Sequence, residues 1–330
     1  MCVRLPGVSG EPKVAVVIPT WNSVALLPRL LDSIASQAES IELLAVDNGS
    51  SDGTVELLRE RGIPHLTRGE NTGFAAAVDL GAERTSAPFV MPLNADTELE
   101  PGSVAALRAA LEADGSLGGV APRILQLEGE GRDAESARLY SVGQALTRDG
   151  RALEIGAGEA QGPESWGGGE VFGVCGAACL LRRELFAALG GYDRTFFSFY
   201  EDVDLNVRAR IAGWRFAYVP EAVVWHLGNA SWLAEAPRPG AWNARLVARN
   251  RVVTQARFVP LASLPRILAV EVGALIRAAR QGRLRATLRG KLEGIVRLPA
   301  ALRERGRLAA TGDLSRPRAW LGVGRAPRGH

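Results

Sequence analysis

The stretch IELLAVDNGSSDGTVELLRERG, residues 41–62, decides the fold. An apolar run rich in branched side chains ends in a carboxylate, Asp47. Small turn residues follow, and TVELLRERG then reads as a helix that Gly62 stops. A strand feeding a helix through a polar turn is half of a βαβ unit. The same alternation extends to both sides. KVAVVIPT (13–20) is a short strand, and SVALLPRLLDSIASQ (23–37) carries Leu26, Leu27, Leu30, Leu31 and Ile34 at helical spacing. Downstream, FAAAVDLGAERT (74–85) predicts a helix, APFVMPLNAD (87–96) a third strand, and 101–114 another helix. The order βαβαβ implies an α/β fold, a mostly parallel, Rossmann-like sheet with helices on both faces. No G-x-G-x-x-G follows the first strand, which argues against a dinucleotide-binding fold. Residues 126–169 are rich in Gly and Glu and read as loops with a short hairpin. VFGVCGAACLLRR (171–183) reads as a strand leading into a helix, RFAYV and AVVWH as a strand pair, and the chain beyond Trp232 as Arg-rich helices.

Each of the first three strands ends in a polar cluster: Pro19-Thr20-Trp21-Asn22, Asp47-Asn48-Gly49-Ser50 and Asn94-Ala95-Asp96. Ligands of open α/β sheets bind along that carboxyl edge. One such cluster is ordinary turn chemistry, whereas three at one edge point to a site. Asp47 either accepts from the imide N–H of a pyrimidine base, since a carboxylate only accepts, or belongs to a turn in which Ser51 or Asp52 caps the next helix. Asn94 and Asp96, at i and i+2, lie on one side of a strand. Their oxygens suit a hard divalent cation shared with substrate phosphates; the alternative is an Asp96 cap for the helix near Pro101. One carboxylate is too little for a cation, so a second protein ligand is expected. His226 ends AVVWH just before Leu227-Gly228-Asn229 and is the candidate, although strand-end histidines are also often structural. His65 lies on an ordinary connection and His330 is terminal.

FFSFYEDVDL, residues 196–205, drives four aromatics into Glu201, Asp202 and Asp204. EDVDLNVRARIAGW predicts a helix with Val203, Val207 and Ile211 on one face and Gly213 at its end. Carboxylates in a first turn are favoured by the macrodipole. Asp204 with Arg208, at i and i+4, reads as a surface pair. Neither accounts for the aromatic run. Rings beside adjacent carboxylates raise their pKa through desolvation and like charge, which suits a general base. Phe199, Tyr200 and Glu201 are therefore assigned to an acceptor-side wall and Asp202 to proton abstraction; the competing reading is a well-capped helix.

The 330 residues, 47% of them hydrophobic, suffice for one large globular domain and a smaller one. Net charge is only +3, but from Ala241 onward 19 basic side chains face four acidic ones, so the tail carries +15 and the first 240 residues −12. An acidic body with a basic tail implies two surfaces with different tasks. Cys2, Cys175 and Cys179 are too few and too irregular for a disulfide framework, and predict reduced thiols in a cytosolic protein. VCGAAC is too short for a four-ligand zinc site and reads as small residues in a packed strand. The N-terminus has no signal-peptide pattern. FVPLASLPRILAVEVGALI (258–276) is interrupted by Pro265, Arg266 and Glu271, so no spanning helix is expected. The Arg-rich helices suit an anionic membrane surface or, alternatively, pack on the core. Nucleic acid is not an expected partner.

In order, PTWN (19–22), VDNGSSDGT (46–54), ENTGFA (70–75), LNAD (93–96), GGYDRTFF (190–197), EDVDL (201–205), WHLG (225–228) and Arg249-Asn250 resemble the inverting family 2 glycosyltransferases of GT-A fold, especially their rhamnosyltransferase-like branch. The resemblance spans about residues 13–255. It implies a tail at 1–12, a catalytic domain at 13–235 with a nucleotide-sugar half (13–125) and an acceptor half (126–235), and a basic helical extension at 236–330. By position, Thr20, Asn22 and Asp47 would hold the nucleoside. Asn71 would line the donor site, with Gly73 allowing close approach. Asn94-Ala95-Asp96 stands where the family has its D-x-D motif, with Asn94 in place of the first carboxylate. Asp96 and His226 would hold Mn²⁺ or Mg²⁺, Asp202 would be the base, and Arg249 would reach the diphosphate or the acceptor. The implied donor is a dTDP- or UDP-linked sugar such as dTDP-rhamnose. The implied acceptor is a hydroxyl of a polysaccharide or lipid-linked glycan, reached in the cytoplasm or peripherally at the inner face of the cell membrane. Two other functions compete. A nucleotidyltransferase could share the sheet but would want a Gly-rich, Lys/Arg-bearing loop after the first strand, which is missing. A non-catalytic carbohydrate- or membrane-binding relative has no need of Asp96, Asp202 and His226.

Overall fold

The computed structural model describes residues 3–4, 11–127, 137–160, 168–228 and 240–312. Cys2, Asn229, Trp232, His330 and most of the expected N-terminal tail lie outside them. The first half runs β1 (Val3–Arg4), β2 (Val14–Thr20), α1 (Leu27–Ala35), β3 (Ile41–Asp47), α2 (Thr54–Glu60), β4 (His65–Thr67), α3 (Phe74–Glu83), β5 (Phe89–Pro92), β6 (Thr97–Leu99) and α4 (Ser103–Ala113). Next come β7 (Leu117–Gln126), β8 (Leu139–Ser141), the hairpin β9 (Gln144–Leu146) and β10 (Ala152–Glu154), β11 (Gly169–Val171), β12 (Leu180–Arg182) and α5 (Arg183–Ala188). A 3₁₀ turn (Arg194–Phe196), α6 (Glu201–Ile211) and β13 (Arg215–His226) complete the sheet, and α7 (Ala241–Phe258), α8 (Leu264–Arg280), α9 (Leu284–Val296) and α10 (Leu298–Thr311) follow.

The apolar strands are buried on both faces, and their alternation divides them between two core layers. Val14, Val16 and Ile18 of β2 pack with Leu27, Leu30 and Ile34 of α1, while Val17 packs with Ala77 and Val78 of α3. The main sheet has the order β1-β3-β2-β5-β12-β7-β13-β11, with β4 beside β3, β6 beside β13 and β8 beside β7. Its parallel block is β4-β3-β2-β5. Strand β12 enters antiparallel to both β5 and β7, and β7 and β13 then run parallel again. Two local expectations change. Residues 171–183 form two short strands joined by a long turn, not one strand. RFAYV and AVVWH form the single strand β13, whose register jumps from Val219 to Val223. Pro220 has no N–H to give the ladder, so the chain bulges there without reversing.

The C-terminal helices pack on the body. Val253 and Phe258 of α7 share a core with Phe196, Val203, Val207 and Ile211. Helix α9 lies directly on α7: a Cβ on Gly290 would stand 2.1 Å from the Arg245 carbonyl oxygen. Among the described residues no helix is long and apolar enough to cross a membrane.

Candidate active site

The carboxyl edge of the parallel block is a set of interlocked turns. Thr20 and Asp47 are register partners in β2 and β3, and Thr20 Oγ1 donates to Asp47 Oδ1 at 3.1 Å. Ser50 Oγ also donates to Oδ1, while the Gly49 and Ser50 amides donate to Oδ2. Four donors thus saturate a fully buried carboxylate. This corrects the expectation that Asp47 meets a base: it stands behind Thr20 and fixes it. Asn22 behaves similarly. Its Oδ1 accepts from the Ser51 amide and its own amide donates to Ser50 Oγ, so it latches two turns and does not line the cavity. Neither Ser51 nor Asp52 caps α2, whose N-cap is Gly53 at φ +95°; Asp52 instead accepts from the Thr54 and Val24 amides. Thr20, Trp21 and Asn71 do line the cavity. Gly73, expected to let a ligand close, instead lets the protein close. Its φ is +89°, and a Cβ there would lie 2.4 Å from the Phe197 carbonyl oxygen.

The second group comes from the end of β13. His226 pairs in register with Thr97 of β6, which places the ring beside the 94–96 turn. Asp96 Oδ1 and His226 Nε2 are 3.2 Å apart, and Asn94 Nδ2 is 3.5 Å from the same nitrogen. Neighbouring ligands on an octahedral cation with bonds of about 2.1 Å are roughly 3 Å apart, so this spacing fits a shared ion. His226 Nδ1 is buried without a hydrogen-bond partner, leaving Nε2 as the ring's polar end toward Asp96. Among the described residues no three His, Cys, Asp or Glu side chains converge as a complete cage. The protein thus offers Asp96 and His226, with the Asn94 side chain beside them, which leaves the remaining positions of a cation to oxygens of a ligand.

The third group answers the aromatic run. Phe196 and Tyr200 are buried against α7, and Ser198, Phe199, Tyr200, Glu201 and Asp202 line the cavity. Phe197, Phe199 and Tyr200 all have positive φ, between 66° and 71°. Asn250 Nδ2 holds this loop through the carbonyls of Phe196, Ser198 and Phe199. Arg249 donates to the carbonyls of Thr195 and Phe196. Arg249 is therefore a buried loop clamp, not a group reaching a diphosphate, and burial beside Arg297 and Arg245 pulls its pKa down to about 10. The expected Asp204–Arg208 surface pair is also corrected. Asp204 is fully buried and joins Arg208 and Arg257, both at 2.7 Å, and Arg257 goes on to Asp193. Burial raises the pKa of Asp202, against hydrogen bonds from Gly176, Val203 and Gln144 that lower it. Burial and the neighbouring Asp202 push Glu201 well above the usual carboxylate range, and its Oε2 is buried without a partner.

Two features escaped the sequence. VCGAAC is not strand but the turn that ties the groups together: Ala177 O accepts from the Asn94 amide at 3.0 Å, and the Gly176 amide donates to Asp202 Oδ2 at 2.8 Å. Cys175 and Cys179 are buried free thiols, as expected. The β9–β10 hairpin brings Gln144 and Glu154 into the same cavity. The one available signal was a carboxylate in a short strand of an otherwise polar segment.

Comparison with known proteins gives the family and the fold. The family model described as Glycosyl transferase family 2 matches residues 15–190. The N-acetylglucosaminyl-diphospho-decaprenol L-rhamnosyltransferase of Mycobacterium tuberculosis is 30% identical over 243 residues, covering 64% of this chain and 75% of that protein. The pre-mycofactocin glycosyltransferase of the same organism is 32% identical over 257 residues, covering 75% of this chain and 50% of that protein. Among solved structures, GalNAc-T7 with UDP, GalNAc and Mn²⁺ superimposes with a TM-score of 0.57 at 18% identity, over 75% of this chain and 48% of that one. The mannosyltransferase PcManGT from Pyrobaculum calidifontis, in complex with GDP-Man and Mn²⁺, gives 0.50 at 20% identity, over 94% and 88%.

Proposed function

The chain belongs to glycosyl transferase family 2, and on that premise we propose that it moves a sugar from a nucleoside diphosphate to an acceptor hydroxyl in one inverting displacement. The observation that carries this is that Asp202 and the Asp96–His226 pair line the same cavity as Thr20 and Asn71. Thr20, held by Asp47, and Asn71 bind the nucleoside end. Asn94, Asp96 and His226 face the diphosphate. A divalent cation of the Mn²⁺ or Mg²⁺ kind, when bound by Asp96 and His226, supplies Lewis-acid charge to the departing phosphate. Asp202 takes the proton of the acceptor hydroxyl as its oxygen attacks the anomeric carbon. The bond to the diphosphate breaks on the opposite face, and the configuration inverts. Burial keeps Asp202 a stronger base than an exposed carboxylate, which suits work near neutrality. Phe199, Tyr200 and Glu201 form the acceptor wall.

The 30% identical relative is named for L-rhamnosyl transfer to a diphospho-decaprenol sugar, which supports a deoxysugar donor such as dTDP-rhamnose and a lipid-linked acceptor. The outer helices fit such an acceptor. Leu264, Leu268, Val272 and Ile276 recur every four residues along α8 and are exposed, and Leu261 before them is 80% exposed. On α9, Leu288, Leu292 and Ile295 lie opposite the glycines that face α7, by the 100° step of a helix. Arg277, Arg280, Arg283 and Arg285, around the turn between α8 and α9, have no carboxylate partner among the described residues. An apolar stripe beside unpaired arginines matches an anionic bilayer, with each arginine near the surface contributing about 1 kcal/mol.

The test is a thermal-shift panel of dTDP- and UDP-sugars with and without Mn²⁺, followed by transfer assays on the donor that stabilises the protein. Asp202→Asn is expected to lower transfer by about 10²–10⁴ while calorimetry finds donor binding intact. Loss of both together would make Asp202 structural and remove the proposed base.

A further inference from the structure

Gln144 is gripped by two carboxylates. Its Nε2 donates to Asp202 Oδ2 at 2.7 Å and to Glu154 Oε1 at 2.9 Å. Those lengths limit the separation of the two acceptor oxygens to 5.6 Å. The amide cannot flip without loss, because Asn206 Nδ2 donates to Gln144 Oε1 at 2.9 Å. Asn206 is itself locked by Val174, giving to its carbonyl and accepting from its amide. A chain of buried amides on α6 and β9 therefore aims two N–H bonds at two carboxylates, one on α6 and one on β10.

Among the described residues neither Glu154 nor Asp202 has an ion-pair partner. The titratable groups facing the pair are Glu201 on α6, Tyr140 on β8, Cys175 and Cys179 in the turn before β12, and Tyr192 and Tyr200. All are acids, and burial raises every one of them; Arg151 and Arg251, which act on Tyr200, pair with Asp149 and Glu271, and His226 lines the same cavity beside Asp96. Burial and then Asp202 push Glu154 up to about 7. The local hydrogen bonds accommodate both of its states. Ser141 Oγ is 2.6 Å from Glu154 Oε2 and 3.0 Å from the Gly143 carbonyl. With Glu154 ionised, Ser141 donates to it. With Glu154 protonated, the acid donates to Ser141, which turns to Gly143.

We propose that Glu154 is a positioning residue for the base: through the shared Gln144 amide it holds the Asp202 carboxylate in the cavity wall. The proposal rests on Asp202 being the proton acceptor. The Asp202 charge raises the Glu154 carboxyl, so removing Asp202 makes Glu154 more acidic.

Two measurements on the full chain test it. The first needs no substrate: infrared difference spectra of the resting protein against pH. The wild type should show a carboxyl titrating near neutrality, absent in Glu154→Gln, and in Asp202→Asn the Glu154 titration should fall by about one pH unit or more. An unchanged Glu154 midpoint in Asp202→Asn would overturn the coupling, whatever the fate of the transferase assignment. The second uses nucleoside diphosphate release from the donor chosen by thermal shift. Glu154→Gln reproduces the protonated form and should fold normally. It keeps an acceptor oxygen for Gln144 Nε2 and should hold kcat near wild type, whereas Glu154→Ala, which removes that acceptor, should cut kcat about three- to tenfold with the donor KM unchanged. An unmoved kcat with a raised acceptor KM in Glu154→Ala would make Glu154 an acceptor ligand and end the proposal.

Discussion

Asn250 is the residue whose loss should be most informative about the catalytic loop. Phe197, Phe199 and Tyr200 hold positive φ values that non-glycine residues adopt at a cost of about 1–3 kcal/mol each. Something outside the loop must hold it. Asn250, 1% exposed on α7, directs one amide group at three loop carbonyls, at 2.7–3.0 Å. Its Oδ1 also accepts from Arg249 Nε, the second clamp. Asn250→Ala removes these bonds and leaves carbonyls dry. At about 1 kcal/mol per net bond and 1–3 kcal/mol for an unsatisfied buried group, the loss should be about 3–5 kcal/mol. Asn250→Asp has nearly the same volume but sets an acceptor against three acceptors, so it should be at least as damaging. The assay is urea unfolding followed by tryptophan fluorescence, since Trp242 lies 6.2 Å from Phe197 between ring centroids. The folded fraction should show kcat reduced at least about tenfold, because Asp202 follows the loop directly and positioning errors of an ångström carry losses of that order. If Asn250→Asp stays within about 1 kcal/mol of wild type, the donor role of this side chain is wrong, and the strained loop has another support.

Further outcomes follow from the same geometry. Asp96→Ala should abolish the Mn²⁺-dependent part of donor binding in calorimetry, and turnover that survives EDTA unchanged would remove the cation from Asp96 and His226. Gly73→Ala places a Cβ 2.4 Å from the Phe197 carbonyl oxygen at a φ of +89°. It should cost about 3 kcal/mol or more, and a melting temperature within a degree or two of wild type would show that the contact yields. Glutamates at Leu268, Val272 and Ile276 should abolish sedimentation with phosphatidylserine vesicles while leaving donor binding unaltered. A wild type that ignores those vesicles but runs as a dimer would assign the α8 face to a second copy of the chain.

The parallel block was legible because its signals are local. Apolar runs, turn clusters and helical spacing around Asp47 and Asp96 all lie within one strand–turn–helix unit, and the observed elements follow them. Glu154 was not legible. It belongs to a three-residue strand; Gln144 lies 10 residues from it and 58 from Asp202 along the chain, so only sheet pairing and the seat of α6 bring the three together. Asp204 misled for the opposite reason: Arg208 offers a complete local explanation at i and i+4, and Arg257, 53 residues away, leaves no local trace.

Depth was the harder variable. Asp47, Asn22, Asp96 and Asp202 are all polar groups at the ends of elements, and sequence treats them alike. The folded chain separates them by how much bonding capacity is already used. Asp47 has four donors on two oxygens and nothing left for a ligand, so its work is to hold Thr20. Asp202 Oδ1 takes only the adjacent Val203 amide, and Asp96 turns an oxygen toward a histidine whose far nitrogen is unpartnered. A buried carboxylate pays for desolvation unless its partners are complete. One that stays incomplete in a cavity is therefore poised to take a proton, and that criterion, not the motif, distinguishes Asp202 from Asp47.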